Sequence, residues 1–263
     1  MLKKRLIPCL FLKNGYLVRS EQFTTHQYLG NAIHQVERFN EWEVDELIYI
    51  DISEDDQYHT GRGDTKIKGE NNVLNLLESI SKTCFMPLTF GGRIRTLQDI
   101  QDRISRGADK ITINTIALER PEFITESAQM FGSQAIIVSI DVKRHDDGSY
   151  EVMCHHGKQS TGKDPVTWAQ DAEQLGAGEI FLNSIDRDGM AIGYDIELVR
   201  SVSDAVNIPV IACGGVGRFP DFAMGIVEGH ADAVAAGNIF HFTELSAKQA
   251  RKALLKMNVN IRH

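Results

Sequence analysis

The stretch "MPLTFGGRI" (residues 86–94) decides the fold, because "IPVIACGGV" (residues 208–216) repeats its pattern in the second half of the chain. Each is a short apolar run that ends in Gly-Gly, which reads as a buried strand followed by a tight turn. Three more pairs echo in the same order. "LIPCLFLKNG" (6–15) is answered by "IIVSIDVKR" (136–144), "DELIYIDIS" (45–53) by "GEIFLNSID" (178–186), and "GADKITINT" (107–115) by "HADAVAAGN" (230–238). Strands one to four therefore resemble strands five to eight, the signature of a duplicated unit.

Working outward, candidate strands fall at 6–10, 47–52, 86–90, 110–114, 135–141, 179–184, 209–213 and 233–236. Between them lie stretches such as "LQDIQDRISRG", "PVTWAQDAEQLGAG" and "DIELVRSVSDAV", whose apolar spacing is near the helical period. Eight β-then-α units with apolar strands imply a parallel sheet covered by helices. An open doubly wound sheet competes, but it gives no reason for a two-fold repeat. The expected fold is α/β, a single (β/α)8 TIM barrel built from two half-barrel repeats, about 1–130 and 131–263, in one domain spanning 1–263. The polar segment 53–72 reads as an exposed loop after strand two, on the face where barrel loops carry function.

The composition suits this reading. The chain has 263 residues, 42% of them hydrophobic, with a mean hydropathy of −0.22 and a net charge of −8. This balance argues against non-specific nucleic-acid binding and leaves room for a local basic patch over an anion. No apolar run approaches a membrane span of roughly 20 residues. The opening "MLKKRLIPCLFL" has a short apolar part interrupted by Pro8, so it reads as a first strand rather than a signal peptide. Scattered Cys9, Cys84, Cys154 and Cys213 suit reduced thiols and a cytoplasmic location.

In a barrel the C-terminal ends of the strands converge on one mouth. There the sequence delivers Gly91 and Gly92, Asn114 and Thr115, Gly214 and Gly215, Gly237 and Asn238. Glycine lets backbone N–H groups approach an anion closely, so the two halves are expected to form two phosphate cradles on opposite sides. A Gly-Gly at a strand end also serves as an ordinary turn. Asp141 closes strand five as a candidate general acid or base, with an N-cap or a partner for Lys143 as the structural alternative. Asp188 is a further mouth carboxylate, and Asp186 with Arg187 reads as a loop salt bridge. "CHHG" (154–157) brings soft and imidazole donors together but lacks a second ligand pair at zinc spacing, so it reads as a hairpin surface loop. Neither a metal nor a cofactor is expected.

Taken together, "KRLIPCL", "FGSQA", "SIDRDG", "GYD", "FHF" and the closing "NVNIRH" resemble the cyclase subunit of imidazole glycerol phosphate synthase along the whole chain. That resemblance implies a heterodimer with a glutaminase, a class I glutamine amidotransferase. The glutaminase's ammonia would cross the barrel to a bis-phosphorylated substrate at the far mouth. It places Asp141 at one of two catalytic aspartates. Asn114, Thr115, Gly189, Gly215, Gly237 and Asn238 fall at or near phosphate contacts, and Arg5, Glu46, Lys110 and Glu179 match a charged ring gating ammonia entry. All four ring residues sit at or just before strand starts, where charges also serve stability.

Three positions depart from the family pattern. Phe11 stands where the other catalytic aspartate belongs, Asn14 replaces an acid in the same loop, and Arg93 replaces the third glycine of a phosphate loop. These changes resemble a paralogous branch associated with acetamidino-sugar biosynthesis, in which ammonia passes to a sugar amidotransferase that modifies surface polysaccharide. Two alternatives remain at this stage: a genuine histidine-pathway cyclase, and a scaffold that activates a glutaminase without passing ammonia.

Overall fold

The computed structural model describes residues 3–42, 44–55, 57–58 and 70–262. Its strands are β1 (Arg5–Lys13), β2 (Tyr16–Glu21), β3 (Thr25–Asn31), β4 (Leu47–Asp51), β5 (Leu88–Gly91), β6 (Lys110–Ile113), β7 (Ile136–Arg144), β8 (Tyr150–Cys154), β9 (Gln159–Ser160), β10 (Glu179–Ser184), β11 (Val210–Cys213) and β12 (Ala233–Ala236). β1, β4, β5, β6, β7, β10, β11 and β12 pair in that order, all parallel, and β12 pairs back onto β1. The ring of pairings closes a (β/α)8 barrel and excludes the open sheet. The loop expected over 53–72 lies mostly outside the described residues.

Alternation along the strands sorts the side chains into two layers. Ile7, Cys9, Ile48, Ile137, Phe181, Ile211, Cys213, Ala233 and Ala235 pack inside the barrel. Their alternates, among them Leu6, Leu10, Leu47, Tyr49, Leu88 and Phe90, pack outward under the helices. Local chemistry sets where the helices start. Thr96 and Asp99 form a capping box for Leu97–Ile104, Asp164 accepts from the Thr167 N–H before Pro165–Gln174, and Asp195 caps Ile196–Ser203.

The strands differ from the sequence expectation chiefly where β1 and β7 run on past the barrel rim. β1 turns at Asn14-Gly15 (φ 51° and 77°) into antiparallel β2, which pairs with β3. An Asn-Gly pair with both residues left-handed makes the two-residue hairpin turn whose twist matches its strands. β7 likewise continues into antiparallel β8 and then β9. Both hairpins stand on the mouth.

The interior layer sets a stability test. Phe181 is fully buried inside the barrel, so Phe181→Ala should cost about 3–5 kcal/mol of unfolding free energy, measured by urea titration.

Candidate functional site

Every second residue of β1 marks a level along the barrel: Arg5, then Ile7 and Cys9, then Phe11, then Lys13. Arg5 opens the series at the N-terminal end, inside a closed ring of ion pairs. Its guanidinium reaches Glu46 at 2.9 Å and Glu179 at 2.6 Å, and Lys110 Nζ reaches Glu46 at 3.1 Å and Glu179 at 2.6 Å. Both carboxylates are buried. Burial alone would raise the pKa of Glu179, but the hydrogen bonds and charges of Arg5 and Lys110 outweigh it and hold the carboxyl below its ordinary value. The four residues that the sequence placed at strand starts do therefore come together.

At the opposite end the strands open on a cavity of about 640 Å³. Phe11 and Asp141 both line it, as their equivalent places in the two repeats require. Asp141 has neither of the structural roles foreseen for it. It caps no helix and does not pair with Lys143; its Oδ2 accepts from Asn114 Nδ2 at 2.9 Å. Burial, then the charge of Asp188, push its pKa up to about 7, against an opposing hydrogen bond from Ser139. A carboxyl poised there can give or take a proton at neutral pH. Phe11, at the equivalent place, carries no exchangeable proton.

Gly92, Asn114 and Thr115 line the same cavity. Gly92 has φ +97°, and a Cβ there would strike the Asp51 carbonyl, so glycine is required. Gly91 lies behind it, packed on Thr112. Arg93 keeps a left-handed backbone (φ 58°) and donates to the Asp55 carbonyl while facing the cavity.

At the expected second cradle a hairpin reaches Asp188 and Asn238. The β2–β3 hairpin folds across it: Asn238 Nδ2 donates to the Ser20 carbonyl at 3.0 Å, and the Gln22 N–H donates to the Asp188 carbonyl at 2.9 Å. Ser20 Oγ also donates to Asp188 Oδ2, at 2.6 Å. Gly189 (φ +73°) approaches the Ser20 carbonyl too closely for any side chain. Ser20, Gln22 and Phe23 of this hairpin line the cavity, and Gly214, Gly215 and Gly237 pack closely on Ser184, Gly193 and Cys9. Burial pushes the Asp188 carboxyl up, against its bonds from Ser20 and Phe23.

One reading of the mouth needs correction and one needs extending. Asp186 and Arg187 form no salt bridge: Asp186 accepts from the Arg144 N–H at 2.7 Å, and Arg187 donates to the Ile192 and Gly193 carbonyls. The "CHHG" turn joins β8 to β9 as a hairpin, yet it also walls the cavity with His155, His156 and Gly157. Sequence reading passed over Asp51 as well. It is buried at the end of β4, held by Ser53 at 2.5 Å and Tyr58 at 3.1 Å, and burial raises its pKa despite those bonds. Its place in the strand-two motif was the available signal.

Among the described residues no helix is long and apolar enough to cross a membrane, and no cluster of His, Cys, Asp and Glu is placed to hold a metal ion. The four cysteines are free.

A barrel with a walled chamber at the C-terminal mouth defines the class: a (β/α)8 protein with a small-molecule site at its strand ends. The chain belongs to the family described as histidine biosynthesis protein, whose model matches residues 5–246. It is 40% identical over 264 residues to imidazole glycerol phosphate synthase subunit HisF of Alkaliphilus metalliredigens (strain QYMF), covering 100% of both chains.

Asp141 supplies a direct test. Its raised pKa means that the fold loses stability as pH rises from the ordinary carboxylate range to about 7. Carbon-detected NMR should place its titration near 7, and Asp188→Asn should move it down by removing a like charge.

Proposed function

We propose that this chain is the synthase-type subunit of a glutaminase complex, receiving ammonia at the ringed end and passing it along the barrel to the mouth. We further propose that its acceptor is a sugar bound for surface polysaccharide, amidated by a separate enzyme, rather than a substrate cyclised in the chamber. One observation carries this reading: Phe11 occupies the chamber position equivalent to Asp141, while the Arg5–Glu46–Lys110–Glu179 ring is complete. Delivery of ammonia needs the ring and the barrel axis. Cyclisation needs the acid–base pair. A phosphorylated small molecule remains the fitting ligand for the chamber, given the Gly92 and Asn114–Thr115 loop ends.

A second reading, the genuine histidine-pathway cyclase, is favoured by the poised carboxyl of Asp141. The two part on a direct assay with the bis-phosphorylated ribulosyl aminoimidazole carboxamide substrate and ammonium salt, without glutaminase. The wild-type chain should turn over at the limit of detection, and Phe11→Asp should raise the rate by roughly 10²–10⁴-fold, the usual contribution of such a group. Brisk wild-type cyclisation would sink the delivery-only reading.

Lys110→Met tests the ring separately. With the glutaminase bound, it should lower ammonia delivered per glutamine hydrolysed while hydrolysis continues. Unchanged delivery would leave the chain a glutaminase-activating scaffold.

A further inference from the structure

Two thiols meet inside the barrel, between the ion-pair ring and the chamber. Cys9 on β1 and Cys213 on β11 are buried, free and part of the interior cluster. β1 and β11 are the first and seventh strands of the closed ring, with β12 between them. In such a barrel the interior side chains of alternate strands fill one layer. The pairings agree. Ile7 stands opposite Ala235 and Ile211 opposite Ala233, so Cys213 follows at Ala235 and Cys9 lies one inward step beyond Ile7. The Cys213 thiol, ahead of burial, is the largest influence pushing the Cys9 thiol above its ordinary range, which sets the two sulfurs against each other. Neither thiol takes part in the ring, the Asp141 contacts or the hairpin bonds.

Adjacent thiols can be joined by a disulfide or by an ion, and the strands decide which. Neighbouring strands lie about 4.8 Å apart, so β1 and β11, on either side of β12, are separated by roughly 9 Å. A disulfide tolerates Cα separations only up to about 7 Å. Oxidation would have to displace a strand of a closed barrel. A two-coordinate ion makes no such demand, because it lies between the sulfurs and lengthens the link. The intervening strand presents only the small side chains of Ala233 and Ala235 to that space.

We propose that Cys9 and Cys213 form a two-coordinate thiolate site for one soft monovalent cation of the copper(I) class, inside the bore of the barrel. Thiolates select soft ions of this kind over hard ones. Clusters of three or more donors are absent among the described residues, but linear coordination needs only a pair. The step balances without an oxidant: two S–H bonds give their protons to solvent, two S–metal bonds form, and no electron changes hands. The complex carries one net negative charge. The charges of Asp141 and Asp188 already bear on Cys9, so the Asp141 titration must move up on loading. Because the site lies between ring and chamber, a loaded barrel is a blocked one. That consequence, unlike the binding itself, rests on the ammonia delivery proposed above.

The test uses the full chain with Cys84→Ser and Cys154→Ser, which leaves only the proposed pair. Silver(I), and copper(I) under anaerobic reducing conditions, are the probes. One ion per chain should survive desalting, with two sulfur neighbours by X-ray absorption and an upward shift of the Asp141 titration. Cys9→Ala and Cys213→Ala, added separately and checked for folding by thermal melting, should each lose the ion and the two-sulfur signature. No retained ion, an ion retained in either folded alanine variant, or a Cys9–Cys213 disulfide formed readily with diamide would overturn the site. The loaded, desalted chain should pass no ammonia while a bound glutaminase still hydrolyses glutamine, and undiminished delivery would overturn the blocking. Absent delivery with or without the ion would refute the delivery reading and leave the site standing.

Discussion

The pairing of β12 with β1 is the constraint on which the rest depends. It sets Arg5 opposite Ala233 and Ile7 opposite Ala235, and so closes the ring of strands. Because strand side chains alternate with a period of two, this register decides which residues see the inside. A slip of one residue in β1 would send Arg5, Ile7, Cys9, Phe11 and Lys13 outward together. The ion-pair ring, the apolar interior and the chamber are therefore consequences of one registration. Alanines at 233 and 235 leave room inside for the larger Phe181 and Ile211.

The two ends of the axis use charge in opposite ways. At the N-terminal end two acids and two bases neutralise each other within a buried ring, where a lone charge would be costly. At the mouth the buried carboxyls bond to neutral groups instead. Asp141 is bonded to an amide and Asp51 to hydroxyls, so desolvation raises both. The ring pairs charge with charge, whereas the mouth opens on a cavity of about 640 Å³.

The barrel was legible because repeats and strand periodicity are local properties of the chain. The strand spans at 179–184 and 233–236 needed no revision. The ring was legible as well, since residues at strand starts must meet at one end of a closed sheet. The site was read only in part. Asn14-Gly15 carried a hairpin signal, but nothing local to Ser20 or Gln22 shows that they bond to Asp188 and Asn238 more than 160 positions away. The echo between halves suggested two equivalent cradles. Symmetry of sequence could not show that an added hairpin bonds to the loops of one of them. His155 and His156 were judged by their neighbours in sequence, whereas the fold sets His155 beside Thr115 and Glu119 and both on the cavity wall.

Phe11 has a consequence for the balance between folding and chemistry. An aspartate there would be a further carboxyl sharing a poorly solvated chamber with Asp141, whose pKa is already forced upward. Like charges and desolvation would both weigh against the folded state. A phenyl ring removes that burden and joins the interior apolar cluster with Val18 and Ile50. A phenyl ring at this place therefore spares the native state that cost.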